Sequence, residues 1–152
     1  MKNHPSAALS LFFAVVLVLI SALAGFVATH RSSRTMTAQA AAEQLARLRS
    51  NLKSQRSVGS DLLPVPVRAI HTVVFDTRGG GRLVRVDAPL WWVRIVVRDG
   101  KIRSLGQLTF FDDTEFDADP ADLSLAQVAR QGPALLADQH HTTGGQFVSW
   151  SD

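Results

Sequence analysis

The hydrophobic pattern takes three forms along the chain. From Leu9 to Ala28 every residue is uncharged and nothing is more polar than serine. From Met36 to Gln55 apolar residues recur at intervals of three and four, and from Val67 onward short β-branched runs alternate with turn residues. The pattern predicts an α+β protein with a membrane helix in residues 1–30, a basic amphipathic connecting helix and linker in 31–60, and a small antiparallel-sheet domain with one or two helices in 61–152.

The first segment is long enough to cross a bilayer. Leu9–Ala28 contains 20 residues, and at about 1.5 Å per residue such a helix spans a hydrocarbon core of about 30 Å. Lys2 and the sequence Ala22-Leu23-Ala24 also fit a cleaved secretory signal. The apolar run is longer than the core of about 7 to 15 residues usual in a signal peptide, which favours a retained, single-pass anchor.

The flanking charges leave the membrane orientation open. Arg31, Arg34, Arg47 and Arg49 follow the apolar run, and basic flanks favour the cytoplasmic side. A short start beginning Met-Lys before a single span is instead typical of signal anchors that export the carboxyl-terminal domain. We expect a single-pass protein of a bacterial inner membrane with an exported domain, and the cytoplasmic alternative remains.

The connecting segment carries a seam of apolar residues spaced three, four, three and four, formed by Ala38, Ala41, Leu45, Leu48 and Leu52. This spacing is that of a coiled coil. In one interpretation Leu45, Leu48 and Leu52 bind a second copy of the chain or the helix of a membrane-protein partner. In the other they pack under the domain of their own chain.

The start of the third segment predicts a β-hairpin. Val67–Asp76 and Leu83–Val86 are rich in β-branched residues, and three consecutive glycines, 79–81, lie between them. Arg78 and Arg82 flank these glycines, but the lysine and hydroxyl residue of a nucleotide-binding loop are missing. A turn is therefore the favoured interpretation.

The segment Leu90–Val97, LWWVRIVV, fits two structures. A helix beginning near Pro89 is one of them. The density of β-branched and aromatic residues favours a strand, with Asp99-Gly100 as a hairpin turn leading into Lys101–Leu105.

As a strand, this segment would place Trp92, Arg94 and Arg98 on one partly polar face. Tryptophan beside arginine is typical of protein interfaces, so this face is a candidate partner-binding surface. The alternative is that the tryptophan belongs to the core and the arginine stems cover it.

The remaining elements are predicted from turn and capping signals. Leu105–Phe111 predicts a strand. A helix follows, beginning at either Asp119 or Ser124 and ending at Gly132-Pro133. Two short strands, Ala134–Ala137 and Gln146–Trp150, complete the domain.

Two polar clusters are candidates for ligand sensing. Residues 112–119 contain five carboxylates, the ligand type that calcium prefers, but the glycine of a calcium-binding loop is missing. A helix start that these acids stabilise is the alternative. His140 and His141 follow Asp138, yet adjacent residues of a strand point to opposite faces and would not share one metal ion.

The cysteine content excludes some kinds of site, and the charge distribution favours some partners over others. The chain has no cysteine, which excludes disulfides, thiolate metal sites and thiol nucleophiles. Residues 1–57 carry a net charge of +6, residues 58–111 carry +4 and residues 112–152 carry −7. The basic half near the anchor indicates attraction to lipid headgroups, although ordinary solvated faces are the favoured interpretation of these charges. The acidic end disfavours nucleic acid as a partner.

These features predict a non-enzymatic, membrane-anchored accessory or assembly protein that presents a small protein-binding domain. Its expected partners are the lipid bilayer and either a second copy or a membrane protein. No metal or other cofactor is expected. The alternative is a tethered ligand- or metal-sensing domain that uses residues 112–119 or His140 and His141.

Overall fold

The computed structural model describes residues 5–58, 65–110 and 113–152. It has the predicted α+β character, with a long apolar helix at the amino end and an antiparallel sheet domain with a few helices. Residues up to Arg31 form one structural unit, and residues from Ser32 onward form another. The end of the predicted linker, residues 59 and 60, the first residues of the predicted domain, 61–64, and Phe111 and Asp112 lie outside the described part.

The elements follow one another with short connections. In chain order they are α1 (Pro5–His30), β1 (Arg31–Thr35), α2 (Ala38–Val58), β2 (Ala69–Asp76), β3 (Arg82–Pro89), α3 (Leu90–Val96), β4 (Lys101–Ser104), β5 (Pro120–Ser124), α4 (Leu125–Gln131), β6 (Ala134–His140) and β7 (Gln146–Ser151). Two 3-10 turns, Arg78–Gly80 and Leu105–Leu108, complete the set for the described residues.

Helix α1 contains the predicted apolar segment. It is 26 residues long, and its stretch Leu9–His30, of 22 residues, is long and apolar enough to cross a membrane. Among the described residues it is the one helix with this property. Its length, composition and place near the amino end are compatible with a membrane anchor and with a signal sequence.

The main sheet has five strands in the order β1-β3-β2-β7-β6. Strand β2 pairs antiparallel with β3 on one side and with β7 on the other. Val74, near the middle of β2, is thus flanked by Val84 and Phe147. The predicted β2–β3 hairpin and the two predicted final strands are confirmed.

Both faces of this sheet are covered. Successive residues of a strand point to opposite faces, so Ile70 and Val74 belong to one core cluster, while Val73 and Phe75 belong to another. The first cluster also takes in apolar side chains of α3 and α4, and the second takes in those of α2. The sheet is therefore the middle layer of three.

The apolar seam of α2 packs on its own sheet. Ala41 and Leu45 are fully buried, and Leu48 and Leu52 are partly buried against the same cluster. The interpretation in which the seam packs under its own domain is the one that the structure shows. Leu45 leaves no exposed surface for another chain.

Gly81 lets the segment that enters α2 approach the β2–β3 hairpin. Its carbonyl oxygen accepts a hydrogen bond from the Met36 backbone N–H at 3.2 Å. A Cβ atom on Gly81 would lie 2.7 Å from the Met36 carbonyl oxygen, and the φ angle of +86° disfavours any other residue. Gly81 therefore serves backbone packing.

The predicted strand over Leu90–Val97 is wrong, because the segment forms helix α3. Leu90, Val93 and Val97 are buried, and their spacing of three and four is that of one helical face. The Leu90 N–H bonds to the Arg68 carbonyl oxygen at 2.8 Å directly after Pro89, which ends β3. Burial of this stripe outweighs the strand preference of the β-branched residues.

Two related predictions fail with it. Strand β4 pairs with β5 in a separate two-stranded sheet, with Lys101 opposite Ser124, so Asp99-Gly100 does not close a hairpin. The predicted strand Leu105–Phe111 begins instead with the 3-10 turn, which buries Leu105 and Leu108. Buried leucines three positions apart match the period of a 3-10 turn and not that of a strand.

Helix α4 begins directly after Ser124, one of the two predicted starts, although the serine side chain makes no capping hydrogen bond. Leu125 and Val128 are its buried residues. The helix ends at Gly132, whose φ of +73° suits a glycine, as predicted.

The burial of Leu45 can be tested by truncation. We expect Leu45→Ala to lower the free energy of unfolding by about 2 to 5 kcal/mol, because the residue is fully buried and leaves a cavity between α2 and the sheet. The measurement is urea unfolding of the full chain in a mild detergent, followed by tryptophan fluorescence. Leu135→Ala is the matched control, since Leu135 is 44% exposed on β6. Equal effects of the two substitutions would contradict the assigned packing.

Candidate functional site

Helix α3 presents the largest exposed apolar side chains of the sheet domain. Trp91 is 56% and Ile95 61% exposed, one helical turn apart, and Val96 is also exposed. Arg94 on α3 and Arg98, which lies just after the end of α3, are also exposed. We call Trp91, Arg94, Ile95, Val96 and Arg98 the α3 surface.

The two tryptophans of α3 have different environments. Trp92 is partly buried and packs against the core cluster that contains Leu90 and Val93. Its ring meets that of Trp91 edge to face, with centroids 6.1 Å apart and planes at 78°. Trp92 therefore contacts both the core and the Trp91 ring, and Trp91 provides the exposed apolar area.

The predicted partner-binding residues Trp92, Arg94 and Arg98 do not share one exposed face, and their binding of a partner stays a prediction. Arg94 and Arg98 are exposed, whereas Trp92 faces the core, and Trp91 and Ile95 were missed as surface residues. The error follows from assuming the two-residue periodicity of a strand, which would have placed Trp91 and Ile95 together on a buried face. The spacing of Leu90, Val93 and Val97 was the available signal for a helix.

The leucines predicted to bind a partner lie on the other side of the main sheet. Leu45 is buried against the sheet, and Leu48 and Leu52 are partly buried there. The structure thus separates the two groups of predicted partner-binding residues. They do not form one surface.

A charged cluster around His71 was not predicted. His71 on β2 lies opposite Asp87 on β3 and Trp150 on β7. Its Nδ1 lies 2.5 Å from Asp87 Oδ1, its Nε2 lies 2.9 Å from Asp152 Oδ2, and its ring stacks on Trp150 at 5.0 Å. The hairpin register could have located Asp87, since residues 71 and 87 face each other when Asp76 pairs with Arg82.

The cluster favours a charged Asp87. Burial acts to raise the pKa of the Asp87 carboxyl group. The hydrogen bonds and charges of Arg85 and His71 lower it by more, so the pKa lies below its ordinary value. Arg85 Nε is 2.9 Å from Asp87 Oδ2. The imidazole is thus held between two carboxyl groups, an arrangement that fixes its orientation.

The acidic segment is engaged within the domain. Glu115 accepts hydrogen bonds from the Thr77 N–H at 3.2 Å and from the Thr143 hydroxyl at 2.8 Å, which joins the loops of two hairpins. Asp117 accepts a hydrogen bond from the Thr114 N–H at 3.1 Å. Asp113 lies 3.5 Å from an Arg78 nitrogen. These carboxylates close loops rather than converge on one point.

The two adjacent histidines serve separate contacts. His141 Nε2 lies 2.8 Å from Asp119 Oδ2, and its ring packs edge to face on Phe116. His140 Nε2 lies 3.7 Å from Asp138, whose carboxylate also pairs with Arg49 at 2.8 Å. Across the described residues, no group of three or more histidine, cysteine or acidic side chains has a geometry that could hold a metal ion.

Comparisons with known proteins assign no family. No protein-family model matches the chain, and searches of curated proteins and of solved structures found no significant match.

Asp76 is the buried carboxylate of the domain's hairpin loop. Its side chain is 1% exposed and pairs with Arg78 at 3.0 Å. Burial acts to raise the pKa of Asp76, but hydrogen bonds from the Arg78 side chain and backbone, with the charges of Arg78 and Arg82, bring it below its ordinary value. A carboxyl group with a lowered pKa in the folded state stabilises the fold above its unfolded pKa, and this contribution disappears as pH falls through the folded pKa.

We therefore expect Asp76→Asn to lower the free energy of unfolding at pH 7 by about 2 kcal/mol, because charge-assisted hydrogen bonds to Arg78 are lost. The difference from the original chain should shrink as pH falls from about 4, where Asp76 of the unfolded chain takes up a proton, through the lower pKa of the folded state. Urea unfolding at a series of pH values measures both effects. Asp122→Asn, at an exposed carboxylate of β5, should change little. A pH-independent difference would contradict the role of the Asp76 charge.

Proposed function

We propose that this chain is a single-pass accessory or assembly protein of a bacterial inner membrane, anchored by α1. Its α+β domain, exported in the favoured orientation, binds a membrane-protein partner and catalyses no reaction. The observation that carries this proposal is the α3 surface, where Trp91 and Ile95 are exposed although the domain has a well-formed core.

The composition of the α3 surface supports a protein partner. Tryptophan and arginine are the residues most enriched among those that contribute strongly to protein binding. The Trp91 ring already contacts the ring of the partly buried Trp92, so covering Trp91 orders a side chain that is partly held in place. Trp91 is therefore the expected centre of the interface.

The other candidate surface supports this choice indirectly. The α2 seam already covers the opposite face of the main sheet, so Leu45 has no area to offer a partner. A second copy of the chain remains an outcome that the experiment distinguishes.

Ligand or metal sensing has weaker support. Glu115, Asp117, Asp119 and His141 are occupied by contacts that close loops of the domain. A ligand would have to break these contacts in order to bind. No specific observation favours this second function.

The proposal predicts site-specific crosslinking from α3. A photoreactive residue at position 91 or 95 in membranes of the native host should give a discrete adduct with another membrane protein, because these positions are the most exposed apolar ones on α3. The same residue at position 135, 44% exposed on β6, is the matched control and should give none. The readout is immunodetection of the tagged chain, followed by mass spectrometry of the adduct.

Further results of the crosslinking experiment decide between the possible partners of the α3 surface. Trp91→Ala should reduce the yield of the adduct formed from position 95, since loss of a hot-spot tryptophan costs about 2 kcal/mol, or roughly 30-fold in affinity. An adduct of twice the chain's mass would identify self-association instead. Adducts with lipid alone, or equal adducts from position 135, would overturn the proposal.

A further inference from the structure

A cleft lies beside α2 on the main sheet, next to its edge strand β1. It is on the sheet face opposite to the α3 surface. Its volume is about 530 Å³, which is within the range of small-molecule sites. The lining residues are Ser32, Ser33, Arg34, Gln44, Leu45, Arg47, Leu48, Asn51, Val73, Leu83 and Arg85. We call this site the arginine cleft.

The cleft has an apolar floor and a basic rim. Leu45, Leu48, Val73 and Leu83 come from the core cluster beneath α2 and form the floor. The rim carries three arginines together with serine hydroxyls and side-chain amides, and none of the lining residues is acidic. This combination places hydrogen-bond donors and positive charge beside apolar side chains of the core.

The register of α2 explains how the rim is built. Gln44, Arg47, Leu48 and Asn51 lie three or four positions apart and so share one face of the helix. Leu45 lies next to this face and points into the core. The helix therefore presents its polar border to the cleft while its seam packs on the sheet.

Two of the three rim arginines, Arg34 and Arg47, have no ion pair with a described carboxylate. Arg49 and Arg78 form ion pairs with Asp138 and Asp76. Arg34 instead donates to the neutral amide of Gln44, and Arg47 is exposed and makes no ion pair with any described carboxylate. Two guanidinium groups thus border a cavity without a compensating acid.

The third arginine is held in place by its neighbours. Arg85 Nε donates to Asp87 at 2.9 Å, and Asp87 in turn contacts His71. The closest acid on α2, Glu43, accepts a hydrogen bond from Gln39 at 3.3 Å and does not line the cleft. A ligand in the cleft would therefore face a net positive surface with one guanidinium already oriented.

We propose that the arginine cleft binds a phosphate group, carried by a phospholipid headgroup or present as free phosphate. Arginine recognises phosphate through paired N–H donors, and the serine hydroxyls and amides can satisfy the remaining oxygens. The lipid headgroup is favoured of the two sources, because Ser32, which lines the cleft, lies only two residues after α1.

The chain sequence agrees with the lipid source. Ser32 follows His30, the last residue of α1, by two positions. Since one residue extends the chain by at most about 3.6 Å, insertion of α1 in a bilayer would keep Ser32–Arg34 near the headgroup layer in any orientation of the domain. A phospholipid is then the most abundant phosphate within reach.

The test is ligand binding by the purified full chain in a neutral detergent. Inorganic phosphate and a short-chain phosphatidylglycerol are titrated separately, with a short-chain diacylglycerol, which lacks the phosphate group, as the lipid control. The heat of binding or the thermal stabilisation is measured. We expect Arg34→Gln/Arg47→Gln to weaken binding by about tenfold or more, the size expected for loss of charge-assisted hydrogen bonds. Arg47→Gln alone, which removes an exposed side chain, should give a smaller loss in the same direction.

The matched control is Arg94→Gln/Arg98→Gln, which removes the same number of charges from the α3 surface. This double variant should bind within about twofold of the original chain, since distant exposed charges are screened. Binding of phosphatidylglycerol but not of phosphate identifies the headgroup, and binding of phosphate alone identifies the free anion. Absence of binding in both titrations, or equal losses in the two double variants, overturns the proposal.

Discussion

The domain depends on a central strand that is apolar on both faces. In β2, Val73, Val74 and Phe75 are all nearly fully buried although they are consecutive. Because alternate residues of a strand face opposite ways, such a run requires a packed layer on each side of the sheet. Helix α2 supplies one layer, and α3 and α4, together with the two-stranded sheet, contribute to the other.

This constraint decides which surfaces stay available for binding. On the α2 side, the seam residues are used for packing, and only the polar border of the helix remains, where Arg34 and Arg47 meet the cleft. On the α3 side, the helix is seven residues long, so it can bury only Leu90 and Val93 and leaves Trp91 and Ile95 exposed. The α3 surface is thus the part of α3 that the core does not use, and the rim of the cleft combines the polar border of α2 with arginines of β1 and β3.

The sequence predicted elements whose pattern has one physical explanation. The uninterrupted apolar run predicted α1, and the glycines between two β-branched runs predicted the β2–β3 hairpin. It failed over Leu90–Val97, where β-branched residues and a helical stripe at Leu90, Val93 and Val97 compete and tertiary burial decides. The basic cleft could not be predicted, because Arg34 and Arg85 lie about fifty positions apart in the sequence and meet only when β1 joins the edge of the sheet.

The sheet also separates the two proposed sites. The cleft includes Val73 and Leu83, which belong to the cluster under α2, whereas Leu90 and Val93 of α3 belong to the cluster on the other face. A ligand on one side and a partner on the other would therefore touch different side chains, with β2 and β3 between them. Coupling between them would have to pass through these packed strands, because residues on opposite faces share a backbone and no side-chain contact. Independent binding is the simpler expectation, since interiors packed this closely change shape little.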